Sequence, residues 1–147
     1  MAISLATVEN DTWATVKAII KADSTVTSYV STNVYSAYPT VFLENAGGLP
    51  FVIIHRPQIS ERIETINCAT KTYLVSFRID CVATKDKIVK QTSDAVRNAL
   101  ETNRSTTEGV YLFDFTIDNE DEDWDFVEKT KIHYNTMTVV YEWRGAI

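Results

Sequence analysis

The chain has 147 residues, of which 45% are hydrophobic and 23% are charged, a balance typical of a globular protein with one ordinary core. Its formal net charge is −6. This acidic balance argues against a protein whose main task is binding nucleic-acid phosphates, because such proteins usually present a basic face.

The sequence predicts neither secretion nor a membrane partner. The start, Met1-Ala-Ile-Ser-Leu-Ala, has no basic region, and no window approaches the roughly 18 to 20 apolar residues of a membrane span. If residues 69–70 form a tight turn that places Lys71 opposite Cys68, then Cys81 lies on the order of 30 Å further along its strand. A disulfide needs Cα atoms within about 7 Å. We therefore expect two free thiols, made in a reducing compartment.

The N-terminal part is predicted to be helical. Residues 10–22 carry apolar side chains at helical spacing, and Asp11 or Thr12 can cap the start of that helix. Residues 25–34 fit a short second helix, although their Ser and Thr content weakens it. The segment Ala46-Gly-Gly-Leu-Pro50 breaks the chain. We predict a single domain, with a helical part at 1–48 and a sheet plus a central helix at 49–147.

Two strands are predicted before the centre of the chain. Phe51 to Ile54 is a short apolar strand that Arg56-Pro57 ends. Ile59 to Cys68 alternates imperfectly and carries charges on both faces, which indicates an exposed or partner-covered strand. A tight turn near residues 69–70 joins it to the next strand.

The centre of the chain changes period once. Residues 72–83 alternate with period two, and at Thr84, a candidate N-cap, the spacing becomes helical. We expect the apolar face of this strand to pack on the apolar stripe of the helix. The strand face contains Tyr73, Val75, Phe77, Ile79 and Cys81, and the helix stripe contains Ile88, Val89, Thr92, Ala95, Val96, Ala99 and Leu100.

The last third is predicted as two strands. Residues 103–109 read as a polar loop, 110–117 as a strand, 119–125 as an acidic loop, and 126–143 as a long final strand. Consecutive strands pair most simply as hairpins, with helices over one face. The fold class is therefore α+β, with a mostly antiparallel sheet.

No cofactor or metal is predicted. The acidic run fails as a calcium-binding hand, because Asp123 stands where the sharp turn needs Gly and no bidentate Glu follows at the required offset. His55 and His133 have no second His or Cys at zinc-ligand spacing. The strand aromatics resemble RNA-stacking platforms, but their neighbours are mostly Thr and acids, which favours core packing. The acidic residues are Asp118, Glu120, Asp121, Glu122, Asp123 and Asp125.

The order of these patterns resembles the tail terminator, or tail-to-head joining, proteins of long-tailed bacteriophages, over roughly residues 10 to 145. The resemblance includes the short strand after Gly-Gly-Leu-Pro and Ser60-Glu-Arg-Ile-Glu. Its clearest part is Tyr73-Leu-Val-Ser-Phe-Arg-Ile-Asp-Cys-Val-Ala-Thr, followed by Ala95-Val-Arg-Asn-Ala-Leu. It ends at Val139-Val-Tyr-Glu-Trp-Arg. Other small neck proteins of the same virions look similar.

The resemblance implies a structural virion protein without catalytic activity. Such proteins form a six-fold ring on the last ring of the tail tube, stop its polymerisation and offer a surface to the head. The expected partners are further copies of the chain, the tail tube protein and a head-completion or neck protein, with DNA passing through the ring without specific binding. The expected location is the virion, near the head–tail junction, after synthesis in the host cytoplasm. Candidate subunit or tube contacts are Arg62, Glu64, Arg78 and Asp80; plain solvent exposure is the alternative.

Three functions stay open at this point: the tail terminator, a neighbouring neck or head-completion protein, and a binding module or small enzyme with a deep polar pocket. The acidic loop has three corresponding interpretations. It lines a lumen through which DNA passes, docks on a basic patch of a neighbouring ring, or only keeps the protein soluble.

Overall fold

The fold is described from a computed structural model, which covers residues 5–37, 50–62, 70–127 and 129–146. Four helices and six strands occur in these ranges. In chain order they are α1 (Leu5–Ala22), α2 (Ser24–Val30), β1 (Val34–Tyr35), β2 (Phe51–Ile54), β3 (Gln58–Arg62), β4 (Thr70–Ala83), α3 (Asp86–Thr102), α4 (Arg104–Glu108), β5 (Leu112–Val127) and β6 (Thr130–Ala146).

The N-terminal helices are confirmed, with different ends. α1 begins at Leu5 instead of residue 10, so Asp11 and Thr12 lie inside the helix and do not cap it. The Thr12 hydroxyl instead donates to the Val8 carbonyl at 2.7 Å, which lets this polar side chain be buried. α2 is a helix because Asp23 caps it: one carboxylate oxygen accepts from the backbone N–H of Thr25 and of Val26.

The central strand and helix are confirmed. The period-two face of β4 is buried, and so is the helical stripe of α3, apart from the half-buried Ile88. Both belong to one core that also includes the apolar faces of α1, α2 and β6. The predicted cap is wrong by one position, because the N-cap residue is Lys85, which makes no side-chain capping bond. Asp86 lies in the first turn of α3, where its charge suits the helix dipole.

The sheet order is β1-β2-β4-β6-β5, and β3 also pairs with β4. The pairs are antiparallel except β1 with β2, so the predicted α+β class with a mostly antiparallel sheet is confirmed. β2 and β3 do not form a hairpin with each other. Both run along the same edge of β4 as one strand interrupted near Pro57, which has no N–H to donate to a ladder.

The predicted acidic loop is wrong. β5 continues through residues 119–125 and pairs with β6 as far as Val127, opposite Thr130. Each residue is held by the β6 ladder, which outweighs the low strand propensity of Asp and Glu. The predicted polar loop at 103–109 is also wrong in part, because it contains the short helix α4.

Two irregularities in β5 set the direction of its side chains. The register with β6 shifts between Phe113 and Thr116 and again between Ile117 and Asn119. Asp114, in the first bulge, has a φ of 54°, a value that Asp tolerates better than most residues. Since each bulge inserts one residue, two of them restore the original alternation beyond residue 119.

A second, smaller core lies on the opposite face of the sheet. Phe51, Ile53, Val82 and Ile132 are buried there, with Tyr35 and Tyr134 packed against them. Because successive residues of β2 point to opposite faces, Val52 and Ile54 belong to the helix side and Phe51 and Ile53 to this one. Both faces of the sheet therefore have buried apolar surface.

Candidate assembly interface

The distal half of the β5–β6 pair carries most of the predicted acidic run. We call it the hairpin arm; it consists of residues 119–126 of β5 and their partners 131–138 of β6. β4 pairs with β6 only as far as Ala83, opposite His133. The last residues of the arm therefore pair only with each other and extend past the end of β4.

The helix side of the arm is ion-paired with α3, whose Lys90 and Arg97 also pair with Asp86 and Asp94 of the same helix. The Arg97 guanidinium of α3 forms an ion pair with Glu120, and Lys90 lies 4.0 Å from Glu122. Glu120 also accepts a hydrogen bond of 3.1 Å from the side-chain amide of Asn135, which is buried. These contacts hold the arm against the polar side of α3. Glu120 and Glu122 therefore have a structural role within the chain.

The other side of the arm carries Asp121, Asp123 and Asp125. They alternate with the helix-facing glutamates along β5 and lie opposite Thr136, Tyr134 and Ile132 of β6. All three are exposed, and none forms an ion pair within the described ranges. The pKa of Tyr134 is raised by burial and, to a smaller extent, by Asp125, Asp123 and Asp80. This face is therefore a concentrated negative surface.

The tip of the arm exposes two aromatic side chains. Trp124 and Phe126 are 54% and 55% exposed, and their ring centroids lie 5.7 Å apart in an edge-to-face arrangement. The Lys131 ammonium lies 4.5 Å from the centre of the Trp124 ring. Large aromatic side chains left in water on a projecting element are typical of contact surfaces.

A groove lies at the other end of β5. It has a volume of about 330 Å³ and is lined by α4, by the first residues of β5 and by Tyr141 of β6. Burial raises the pKa of the Tyr141 hydroxyl, an effect that the nearby Arg104 partly offsets. That hydroxyl has no hydrogen-bond partner in the described part of the chain. We call this cavity the α4 groove.

Two of the four predicted contact residues, Arg78 and Asp80, form an ion pair with each other. Asp80 is fully buried, accepts from Arg78 Nε at 3.2 Å and lies 2.8 Å from His55 Nε2. The expectation that Asp80 is available to another subunit is therefore wrong: its carboxylate ties β4 to the residue that follows β2. The Arg78 side chain is 57% exposed and stays a candidate. The side chain of Arg62 and all of Glu64 lie outside the described residues.

Neither a metal site nor a spanning helix emerges from the described residues. They contain no cluster of three or more His, Cys, Asp or Glu side chains able to hold a metal ion. None of their helices is both long and apolar enough to cross a membrane. Cys81 is a buried free thiol, as expected, whereas Cys68 lies outside the described ranges. Burial, with smaller effects from Asp80 and Glu120, raises the pKa of the Cys81 thiol.

The aromatic tip escaped the sequence-based prediction, although the sequence contains a signal for it. In Glu120-Asp-Glu-Asp-Trp-Asp-Phe126, one alternate set ends in Trp124 and Phe126 and the other is all Asp. Period two within an acidic run predicts a strand with one charged and one partly apolar face. The prediction of an acidic loop at residues 119–125 used only the charge composition and did not use this alternation.

The comparisons with known proteins identify a shared fold. No protein-family model and no curated protein matches the sequence. Among solved structures, the chain is similar to a chain of the virion of a native gene transfer agent (GTA) particle. The superposition has a TM-score of 0.64, covers 90% of this chain and 94% of the other, and aligns residues that are 16% identical. The two chains therefore share one architecture over almost their whole length.

Proposed function

We propose that this chain is a structural protein of a phage-like virion, and specifically a tail terminator. In this proposal a homo-hexameric ring sits on the last ring of the tail tube, ends its polymerisation and presents the surface that the head joins. The role is structural and involves no catalysed reaction. The observation that carries the proposal is the end-to-end fold similarity to a virion chain of a GTA particle.

The surface of the chain supports an assembly role. β5 is an edge strand in the described sheet, and the arm that it forms has an acidic face and an exposed aromatic tip. Long edge strands and exposed aromatic side chains are costly to leave uncovered in a protein that works alone. In a ring or a stack of rings, neighbouring subunits cover such features.

A neighbouring neck or head-completion protein is the second candidate, since the same fold similarity supports it equally. The binding partner of the chain distinguishes a tail terminator from a neck or head-completion protein. Gold-labelled protein should bind the ends of purified tail tubes in electron micrographs when heads are absent. Binding to heads alone would favour the neck protein. Binding to neither would contradict both candidates.

The face of the arm that carries Asp121, Asp123 and Asp125, which we call the acidic face, has a proposed role in the ring. If Asp121, Asp123 and Asp125 line the lumen, their repulsion of phosphates keeps passing DNA from adhering. The triple change of these residues to Asn should then leave assembly intact and alter DNA ejection or retention.

If the acidic face docks on a basic neighbour instead, the triple variant should fail to join heads, and high salt should reproduce that failure in the unmodified protein. Glu122→Gln removes one charge from the helix side of the same strand and Asp123→Asn removes one from the acidic face, so the two single variants form the matched comparison. Normal assembly and normal infection by the triple variant would leave only a contribution to solubility.

A further inference from the structure

The two ends of β5 present surfaces that complement each other. The tip has two exposed aromatic rings next to Asp123 and Asp125, with Lys129 in the turn and Lys131 on the returning strand. The α4 groove is lined by Phe113, Phe115 and Tyr141, together with the charged side chains of Arg104 and Glu108. The tip therefore offers aromatic side chains with charged neighbours. The α4 groove offers an aromatic cavity that also has charged side chains in its lining.

The charges in the groove point to the nature of its occupant. Neither Arg104 nor Glu108 makes an ion pair in the described ranges, whereas the second acid of the groove, Asp114, is paired with Arg144. The buried Tyr141 hydroxyl also lacks a partner among the described residues. A guanidinium and a buried phenol favour an incoming carboxylate, because buried donors are normally satisfied. The tip carries two such carboxylates, Asp123 and Asp125, on the face of the arm opposite to Trp124.

The tip cannot reach the groove of its own chain. Phe113 lies opposite Glu142, and Trp124 lies opposite His133, nine positions further back along β6. At about 3.3 Å per residue the two ends are about 30 Å apart. Any contact between them is therefore a contact between two copies.

We propose that the tip of one copy docks on the next copy, with Trp124 inside the α4 groove and Asp123 or Asp125, from the other face of the same strand, paired with the exposed Arg104 at the edge of the groove. The contact is heterologous, since different surfaces of the two copies meet, and repeating it produces a ring or a filament. The groove volume of about 330 Å³ suits one large aromatic side chain. This contact goes beyond tube capping, and its test is separate.

The size of the contact sets the conditions of the test. Two whole aromatic side chains bury on the order of 300 to 500 Å² together, and Trp124 and Phe126 have only about half of their surface left to bury. A stable interface uses about 800 Å² on each partner, so the tip contact is weak between two isolated chains. The experiment therefore captures it covalently at high protein concentration.

The test replaces Phe126 with the photocrosslinker p-benzoylphenylalanine in a mixture of light- and heavy-isotope chains at about 1 mM. The expected product joins position 126 of one copy to a peptide within residues 104–116 of the other, with mixed isotopes. Crosslinks to another surface, or no intermolecular crosslinks, would overturn the contact.

Charge exchange tests the pairing. Arg104→Glu should lower the crosslink yield at least about tenfold, the effect of about 1.4 kcal/mol. Asp123→Lys with Asp125→Lys on the partner copy should restore it. Lys21→Glu, an equal charge change at an exposed position of α1, should leave the yield unchanged.

The contact between copies and the capping of tubes can fail independently of each other. A chain that caps tubes but crosslinks elsewhere contradicts the contact alone. A chain that crosslinks in the groove but never binds tubes contradicts capping alone.

Discussion

Glu120 holds the hairpin arm on α3, and its substitution provides the sharpest test of how the arm is anchored. One carboxylate oxygen accepts from the Asn135 amide, and the other forms the ion pair with Arg97. Glu120→Gln keeps an acceptor for Asn135 and removes only the charge. Glu120→Ala removes both, and leaves a donor of the buried Asn135 without its partner.

The two variants should differ in stability by a predictable amount. The side chains of Arg97 and Glu120 are 31% and 30% exposed, so their pair is worth about 0.5 to 1 kcal/mol, and Glu120→Gln should cost that much. The unsatisfied amide adds about 1 to 3 kcal/mol, so Glu120→Ala should cost about 1.5 to 4 kcal/mol in total.

Urea denaturation measures these costs, and hydrogen exchange locates the effect. In the Ala variant we expect faster exchange across the hairpin arm. The cost of the Gln variant should shrink at about 1 M salt, where the Debye length falls to about 3 Å. Asp118→Asn is the control, because the Asp118 side chain is exposed and makes no hydrogen bond in the described part of the chain. Equal losses for the Ala and Gln variants would refute the role assigned to Asn135.

Three further predictions concern the core. Val96→Asp should cost on the order of 3 kcal/mol or more through an unpaired buried charge, whereas Asn98→Asp on the exposed side of α3 should cost little; equal urea midpoints would refute the packing of α3. His55→Leu should cost about 1 to 3 kcal/mol, since it removes one partner of the buried Asp80 carboxylate; an unchanged unfolding free energy would contradict this role of His55. Cys81 should resist iodoacetamide at pH 8.5 in the folded protein and react only after unfolding, because burial raises its pKa and keeps the thiol protonated. Mass spectrometry of the peptide that contains Cys81 measures this alkylation, and rapid alkylation in the folded protein would contradict the prediction.

The sequence was sufficient where one side-chain period runs without interruption. The burial of Phe77 and Ile79 on β4 and of Val96 on α3 follows from period two and from helical spacing. The hydrophobic effect decides both, and each signal lies within one short segment. On β6 the same period two holds, and Met137, Val139 and Tyr141 all lie on the buried face.

The sequence was insufficient where tertiary pairing overrides local propensity. Residues 119–125 are poor strand formers, and they are a strand because β6 supplies a ladder and α3 supplies Arg97 and Lys90. Asp80 shares a face of β4 with the exposed Arg78, yet it is buried, and both Arg78 and His55 contact its carboxylate. The residues of β6 and α3 that contact residues 119–125, and the His55 that contacts Asp80, are not adjacent to their partners in sequence. No local pattern therefore predicts these contacts.

The central claim is that the chain terminates a tail tube, and the length of growing tubes tests it most directly. Tail tube protein of the same particle is allowed to polymerise, and the chain is added partway at about one hexamer per tube end. Electron microscopy then follows the length distribution. The proposal predicts that growth stops at the length reached, with a ring on the tube end, whereas a buffer control continues to lengthen. Tubes that keep growing at the control rate, with bare ends, would contradict it.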